Sequence, residues 1–158
     1  MSFSIIDILD PKAIRVPLVA TDRQGALEEL VDALAQSGVI GDPALFKKSV
    51  WEREQLRSTG IGEGLAIPHG KCASIKRPAI AIGRPAVPIE FGAIDRRPVR
   101  LIVLLASPPD KISEHIQVLH RVSRLFSNVA TRERACMAPD AQALYEELRS
   151  ADLALVDR

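Results

Sequence analysis

Cysteine is nearly absent. Cys72 and Cys136 are the two in 158 residues, too few for a disulfide framework. Charge imbalance is absent too. Twenty-one Lys and Arg stand against 20 Asp and Glu, a formal net charge of +1, which offers no electrostatic footprint for nucleic acid. No apolar run approaches the ~20 residues of a membrane span, so no membrane insertion is expected. The start, Met1-Ser2-Phe3-Ser4, lacks a basic segment leading into an apolar one, so no secretory signal is read. No carboxylate cluster or Cys/His spacing suggests a metal. Repeats, low-complexity tracts and linkers are missing as well. The expectation is a cytoplasmic protein with residues 1–158 as a single domain, its core running from about 5 to 148.

What is present alternates between strand and helix patterns. Ser4 to Leu9 is a short apolar cluster, read as a helical turn cut off at Asp10-Pro11. Ile14 to Leu18 alternates like a strand, at a sheet edge because Pro17 cannot donate to a ladder. Thr21 and Gln24 have capping-box spacing, ahead of a helical face of Leu27, Leu30, Val31 and Leu34 that stops at Gly38. Asp42-Pro43 opens a second helix to about Leu56, with Leu45, Phe46, Val50, Trp51 and Leu56 as its apolar residues. Arg53 falls within that arc and Arg57 at its margin. A guanidinium there needs a partner. Either it snorkels or pairs with a structural carboxylate, or it meets an anion.

Pro78 to Gly83 and Val87 to Phe91 read as strands, with a turn from Gly92 to Pro98 between the latter and Val99 to Ala106. That last segment holds Leu101-Ile102-Val103-Leu104-Leu105, apolar on both faces, as in a central strand covered from both sides. A helix follows from about Ser113 to Ser127, with a stripe of Ile112, Ile116, Leu119, Val122 and Phe126. His115 projects within its arc and His120 sits on its flank. Thr131 is read as the cap of a short helix to Met137. Pro139-Asp140 opens a last helix packing through Ala141, Leu144, Tyr145 and Leu148, and the tail from Ala151 is expected to be loose. The fold class is α/β: one mixed sheet of about four or five strands flanked by helices on both faces.

The organising stretch is Ser58-Thr59-Gly60-Ile61-Gly62-Glu63-Gly64-Leu65-Ala66-Ile67-Pro68-His69-Gly70-Lys71. Alternate glycines free the backbone, and Leu65-Ala66-Ile67 reads as a buried strand ended by Pro68. His69 stands at its mouth in open space, since Gly70 places no side chain beside it, and is presented as a nucleophile with one ring nitrogen free near neutral pH. A nucleotide loop does not fit. Gly64 to Gly70 encloses five residues instead of four, Cys72 replaces the magnesium-binding Ser or Thr, and the glycine spacing is not that of a dinucleotide fingerprint.

Ser58 to Gly62 followed by Ala66-Ile67-Pro68-His69-Gly70 resembles the phosphorylation signature of type 2 EIIA domains of the bacterial phosphoenolpyruvate-dependent phosphotransferase system. The similarity extends from about Ile5 to Leu148. It is strongest toward nitrogen-regulatory and fructose-type members, through Ala66 to Lys71 and through Ile94-Asp95 with Pro98-Val99. The resemblance implies that His69 is phosphorylated by an HPr-like carrier, that Arg53, from the pair Arg53-Glu54, and His115, from Glu114 to Val118, serve the active site, and that the fold is the family's α/β fold. Ser58, Thr59 and the glycine amides are candidate phosphate contacts. No metal or cofactor is required, since donor and acceptor are both histidines. The implied role is a phosphotransferase component, a phosphocarrier in nitrogen regulation that binds regulatory targets. The alternative is a sugar-uptake EIIA donating to an EIIB, and a further one is a binding module of the same fold that carries no phosphate. Cys72 and His120 receive no role.

Overall fold

Seven consecutive residues, Leu101 to Ser107, are all buried, and the rest of the fold is laid out around them. In the computed structural model, which describes residues 4–156, they form strand β6 of a mixed sheet. The other strands are β1 (Leu9–Leu18), β2 (Gly60–Gly62), β3 (Leu65–Ala66), β4 (His69–Lys71) and β5 (Ala79–Pro85). The order is β1-β5-β6-β3-β2, with β4 also paired to β6. β5 runs antiparallel to β6; β3 and β4 run parallel to it. The sheet has six strands where about four or five were expected: the glycine stretch adds β2, the chain after Ile67-Pro68 adds β4, and the strand read over Val87 to Phe91 is not among them. Met1–Phe3, where a leader was sought, and residues 157–158 of the tail lie outside the described residues.

Side chains alternate across a strand, and this sorts β5 and β6 between two cores. Ala79, Ala81, Ile102, Leu104 and Ala106 pack under helices α1 (Arg23–Gln36) and α2 (Pro43–Leu56). Ile80, Ile82, Leu101, Val103 and Leu105 pack under α3 (Ile112–Phe126), α4 (Val129–Cys136) and α5 (Ala141–Val156). The strand that reads apolar on both faces is thus central, with helices on each side, as expected.

Several boundaries differ from the sequence reading. β1 starts at Leu9 and runs through Asp10-Pro11. It lies at the sheet edge, and its register against β5 shifts between Leu9 and Ile14, which lets an edge strand tolerate Pro11. The apolar cluster before it is a 3-10 turn, Ile5–Asp7. The Thr21/Gln24 capping box does not form; Asp22 caps α1, accepting the Gly25 N–H at 2.8 Å, since a carboxylate also favours the helix N-terminus electrostatically. Asp42 caps α2 as expected. The strand read over Val87 to Phe91 is reduced to one bridge, Ile89 to Val99, because Pro88 supplies no donor. Asn128, not Thr131, caps α4, accepting the Thr131 N–H at 3.0 Å. The tail is not loose through its described part. α5 continues to Val156 and buries Asp152 completely.

The α3 stripe is also rotated from the one read. His115, Val118, Arg121, Val122, Leu125 and Phe126 are buried, while Ile112 and Ile116 are more than half exposed. On α2, Leu45 and Leu56 face out and the buried side chains are Phe46, Val50 and Glu54.

Candidate functional site

The site is built at the C-terminal end of β6. β3 and β4 lie along it in one unbroken register: Ala66 pairs Ile102, and His69 pairs Leu105. Pro68 interrupts the ladder only locally, and its carbonyl still accepts the Leu105 N–H at 2.9 Å. His69 therefore does not stand beyond a strand end, as read from the sequence. It opens the second half of the strand. Gly70 faces α2. A Cβ there would lie 3.0 Å from both Phe46 and Val50, so the glycine is what lets β4 press against that helix. His69 and Lys71 face the α3 side, with Leu105 and Ser107 opposite them.

The glycine stretch is a hairpin. β2 pairs antiparallel with β3 through Gly62-Glu63-Gly64, all at positive φ, where glycine is at ease and Glu63 is held by its N–H bond to Asp95 Oδ2 at 2.9 Å. Its base is fixed from α2. Glu54, 1% exposed, accepts both the Thr59 N–H at 3.0 Å and the Thr59 hydroxyl at 2.7 Å. A buried carboxylate is tolerable when hydrogen-bonded in this way. Ser58 donates its hydroxyl to the Phe91 carbonyl and accepts the Gly60 N–H at 3.0 Å. The hydroxyls of Ser58 and Thr59 thus hold the hairpin.

His69 Nδ1 lies 3.0 Å from the Ile67 carbonyl oxygen. A carbonyl can only accept, so Nδ1 carries the proton and Nε2 carries the lone pair. Burial lowers the His69 pKa below its ordinary value; the Ile67 bond opposes this, and Arg53 and Lys71 lower it further against Glu54. His115 is buried in the first turn of α3, its ring edge-on to that of His69 with centroids 5.5 Å apart. Its pKa is pushed down to about 4 by burial, then by His69 and Lys71. Both rings are neutral at pH 7.

His69 separates two clefts. One, of about 440 Å³, is lined by Ser49, Arg53, His69, Gly70, Lys71, His115 and Leu119. α2 and α3 lie on opposite faces of the sheet, yet Arg53, His69 and His115 meet in this cleft. The other, of about 320 Å³, adds Arg57, Ser58, Thr59, Ile61 and Ile94 beside Arg53 and His69. The half-buried Arg53 donates one N–H to the Arg57 carbonyl at 3.1 Å and forms no ion pair among the described residues, which leaves its other donors for an anion. His120 is exposed, and Cys72 is a buried free thiol 3.3 Å from the Ser74 hydroxyl.

Three residues at the site escaped the sequence reading. Lys71 carried a signal, since it sits two positions from His69 on a strand and so shares its face. Glu54 was read only as the second half of a pair. Ser107, at the end of the central strand, carried none. Among the described residues, no group of His, Cys, Asp and Glu is placed to hold a metal, and no helix is long and apolar enough to cross a membrane.

A family model described as Phosphoenolpyruvate-dependent sugar phosphotransferase system, EIIA 2 matches residues 7–151. The chain is 30% identical over 148 residues to the PTS system fructose-specific EIIABC component of Bacillus subtilis, covering 94% of this chain and 23% of that protein. It is 33% identical over 144 residues to the nitrogen regulatory protein of Bradyrhizobium diazoefficiens, covering 91% and 94% respectively. The crystal structure of nitrogen regulatory protein IIA-Ntr from Neisseria meningitidis superposes with a TM-score of 0.82 at 31% identity, over 90% of this chain and 97% of that one. The chain thus spans less than a quarter of the fructose-specific relative and nearly all of the two nitrogen regulatory ones. It belongs to the EIIA type 2 family of the phosphoenolpyruvate-dependent sugar phosphotransferase system.

Proposed function

We propose that this protein is a phosphocarrier that takes a phosphoryl group on His69 Nε2 from the phosphohistidine of an HPr-like protein, in a nitrogen-regulatory role. One observation carries the reading. The Ile67 carbonyl holds the proton on Nδ1, so the lone pair of Nε2 is free in a cleft shared with Arg53, Lys71 and His115. In the transfer, that lone pair forms the new N–P bond. The electron pair of the breaking N–P bond returns to the donor imidazole, and the Nδ1 proton stays against Ile67. Phosphoryl transfer needs positioning and charge stabilisation, and Arg53, Lys71 and His115 provide it at the equatorial oxygens. Ser58 and Thr59 serve by shaping the second cleft; a direct contact from either hydroxyl would require giving up its present bond.

The carrier must bring its own histidine up to His69, so the rim must admit a transient contact below ~1,200 Å². Ile61, Ile94, Ile112 and Ile116 are each at least half exposed, and Ile61 and Ile94 line the second cleft. Ile61→Asp should weaken transfer at limiting carrier while leaving the circular dichroism unchanged.

The role itself is tested by incubation with phosphoenolpyruvate, Enzyme I and an HPr-type carrier. An acid-labile phosphate should appear on the protein and be absent from His69→Ala; undiminished labelling of that variant would sink the assignment. A second reading, sugar uptake with an EIIB as acceptor, is favoured by the 30% identity to the fructose-specific EIIABC component. Rapid loss of label to a fructose-type EIIB would select it. Persistence of the label, with target binding that differs between the two forms, would select regulation. Either role places the protein in the cytoplasm, with its phosphoryl source.

A further inference from the structure

Ser107 ends β6 with its side chain wholly buried, and its Oγ lies 2.8 Å from His115 Nδ1. Either group can be the donor, but the two arrangements differ in what they leave unmade. If Nδ1–H donates, the serine proton has no acceptor, because His115 Nδ1 is the sole hydrogen-bond partner of Ser107 Oγ among the described residues. A buried donor left unpaired costs on the order of 1–3 kcal/mol. If the hydroxyl donates, the buried serine proton is paired, and the single proton of the neutral ring must sit on Nε2, on a ring that lines the cleft beside His69.

We infer that Ser107 is a positioning residue: its hydroxyl donates to His115 Nδ1 and fixes the ring as the Nε2–H tautomer, so that His115 presents a donor to the phosphoryl group on His69. This rests on His69 as the phosphoryl site. The tautomer matters because the ring is neutral. An imidazolium would donate from both nitrogens, whereas a neutral ring of the opposite tautomer would turn a lone pair toward the phosphoryl oxygens. The register explains why this serine is in place. Ser107 pairs Lys71 as Leu105 pairs His69, and both β6 residues face α3, where His115 occupies the first turn.

The test uses nitrogen NMR of the histidine rings at pH 7 in the unphosphorylated wild type, Ser107→Ala and Ser107→Thr, together with rates of transfer from a phosphorylated HPr-type carrier. The wild type should show His115 protonated at Nε2, with Nδ1 shifted as a hydrogen-bond acceptor. Ser107→Ala should lose that acceptor shift, gain a fraction of the Nδ1–H tautomer and slow transfer about 10- to 100-fold, the scale set by groups that orient metal-ligating histidines from behind. The His69 tautomer should stay as it is, and Ser107→Thr should restore both signals and rate. A wild-type His115 protonated at Nδ1 overturns the inference, and this measurement decides even if Ser107→Ala does not fold. So does a folded Ser107→Ala with unaltered ring signals and rate. A wild-type protein with the Nε2–H tautomer that takes no phosphoryl group instead removes the carrier reading and leaves the tautomer assignment standing.

Discussion

At the scale of single residues, the site is a pair of histidines kept neutral by their surroundings. Two protonated rings 5.5 Å apart would repel, and burial makes the first proton costly before the second is considered. The folded pKa of His115, about 4, lies below the ~6.5 of an unfolded chain. Between these values the unfolded chain binds a proton that the folded one refuses. The resulting stability is fully present above pH 6.5 and is lost as the pH falls toward 4. Urea unfolding at pH 7 and pH 5 should differ by on the order of 1–3 kcal/mol, and His115→Gln should shrink the difference to the part that His69, whose pKa burial also lowers, contributes. An equal loss in both proteins would assign the acid sensitivity elsewhere. A phosphoryl dianion on His69 reverses the local field. The neighbour that now disfavours the His115 proton becomes one that attracts it, so the His115 titration midpoint should move up in the phosphorylated protein, as read by proton NMR.

At the scale of elements, what was legible in the sequence was whatever one segment states by itself. His69, Arg53 and His115 stand in contiguous motifs, the βα alternation gives the layers, and Leu101 to Leu105 announces the central strand. What could not be read depends on how segments meet. Ser107 gains its meaning only when β6 delivers it beneath α3. Ile112 and Ile116 look like core because they are spaced as core, but the first turns of α3 carry them outward while Arg121 takes a buried place. Pro68 looks like a strand end, yet β6 has a partner ready on its far side. Gly70 is a further case. Its apparent use is to leave His69 in open space, whereas its missing Cβ makes room for Phe46 and Val50 on α2. Gly70→Ala should push these buried side chains aside, at the ~1–3 kcal/mol typical of overpacking. Because α2 also carries Arg53, phosphoryl transfer should slow beyond what the fraction folded explains. Thermal unfolding and transfer rates on the same sample separate the two effects, and a rate that merely tracks the folded fraction would uncouple helix position from the site.

At the scale of the whole molecule, the two ends of the described chain are tied to the helix that carries His115. Asp152 of α5, fully buried, takes the Nε–H of Arg121 and the N–H of Ile5 at 2.8 and 2.9 Å and also bonds the Ser4 hydroxyl. Arg121 adds a bond from its Nη2 to the Asp152 carbonyl at 3.0 Å. A charge pair of this kind is weak evidence for stability when compared with apolar residues of similar shape, but breaking it from one side strands a buried charge and costs about 3–5 kcal/mol. The core expected from the sequence ends near Leu148, which would make everything beyond it dispensable. The pairing predicts the opposite. A chain cut after Leu148 loses Asp152, leaves Arg121 unpaired and frees the N–H of Ile5, so it should unfold at markedly lower urea than the intact protein. Asp152→Ala should lose a comparable amount, apart from the apolar contacts of Ala151 and Leu155. The double variant Arg121→Met with Asp152→Leu should recover most of it, because no charge is then left buried. A truncated chain as stable as the intact one would mean that Arg121 finds solvent when its partner is gone. If the double variant instead stayed as unstable as Asp152→Ala, the loss would lie in the bonds to Ser4 and Ile5, and the N-terminal turn would be what α5 holds.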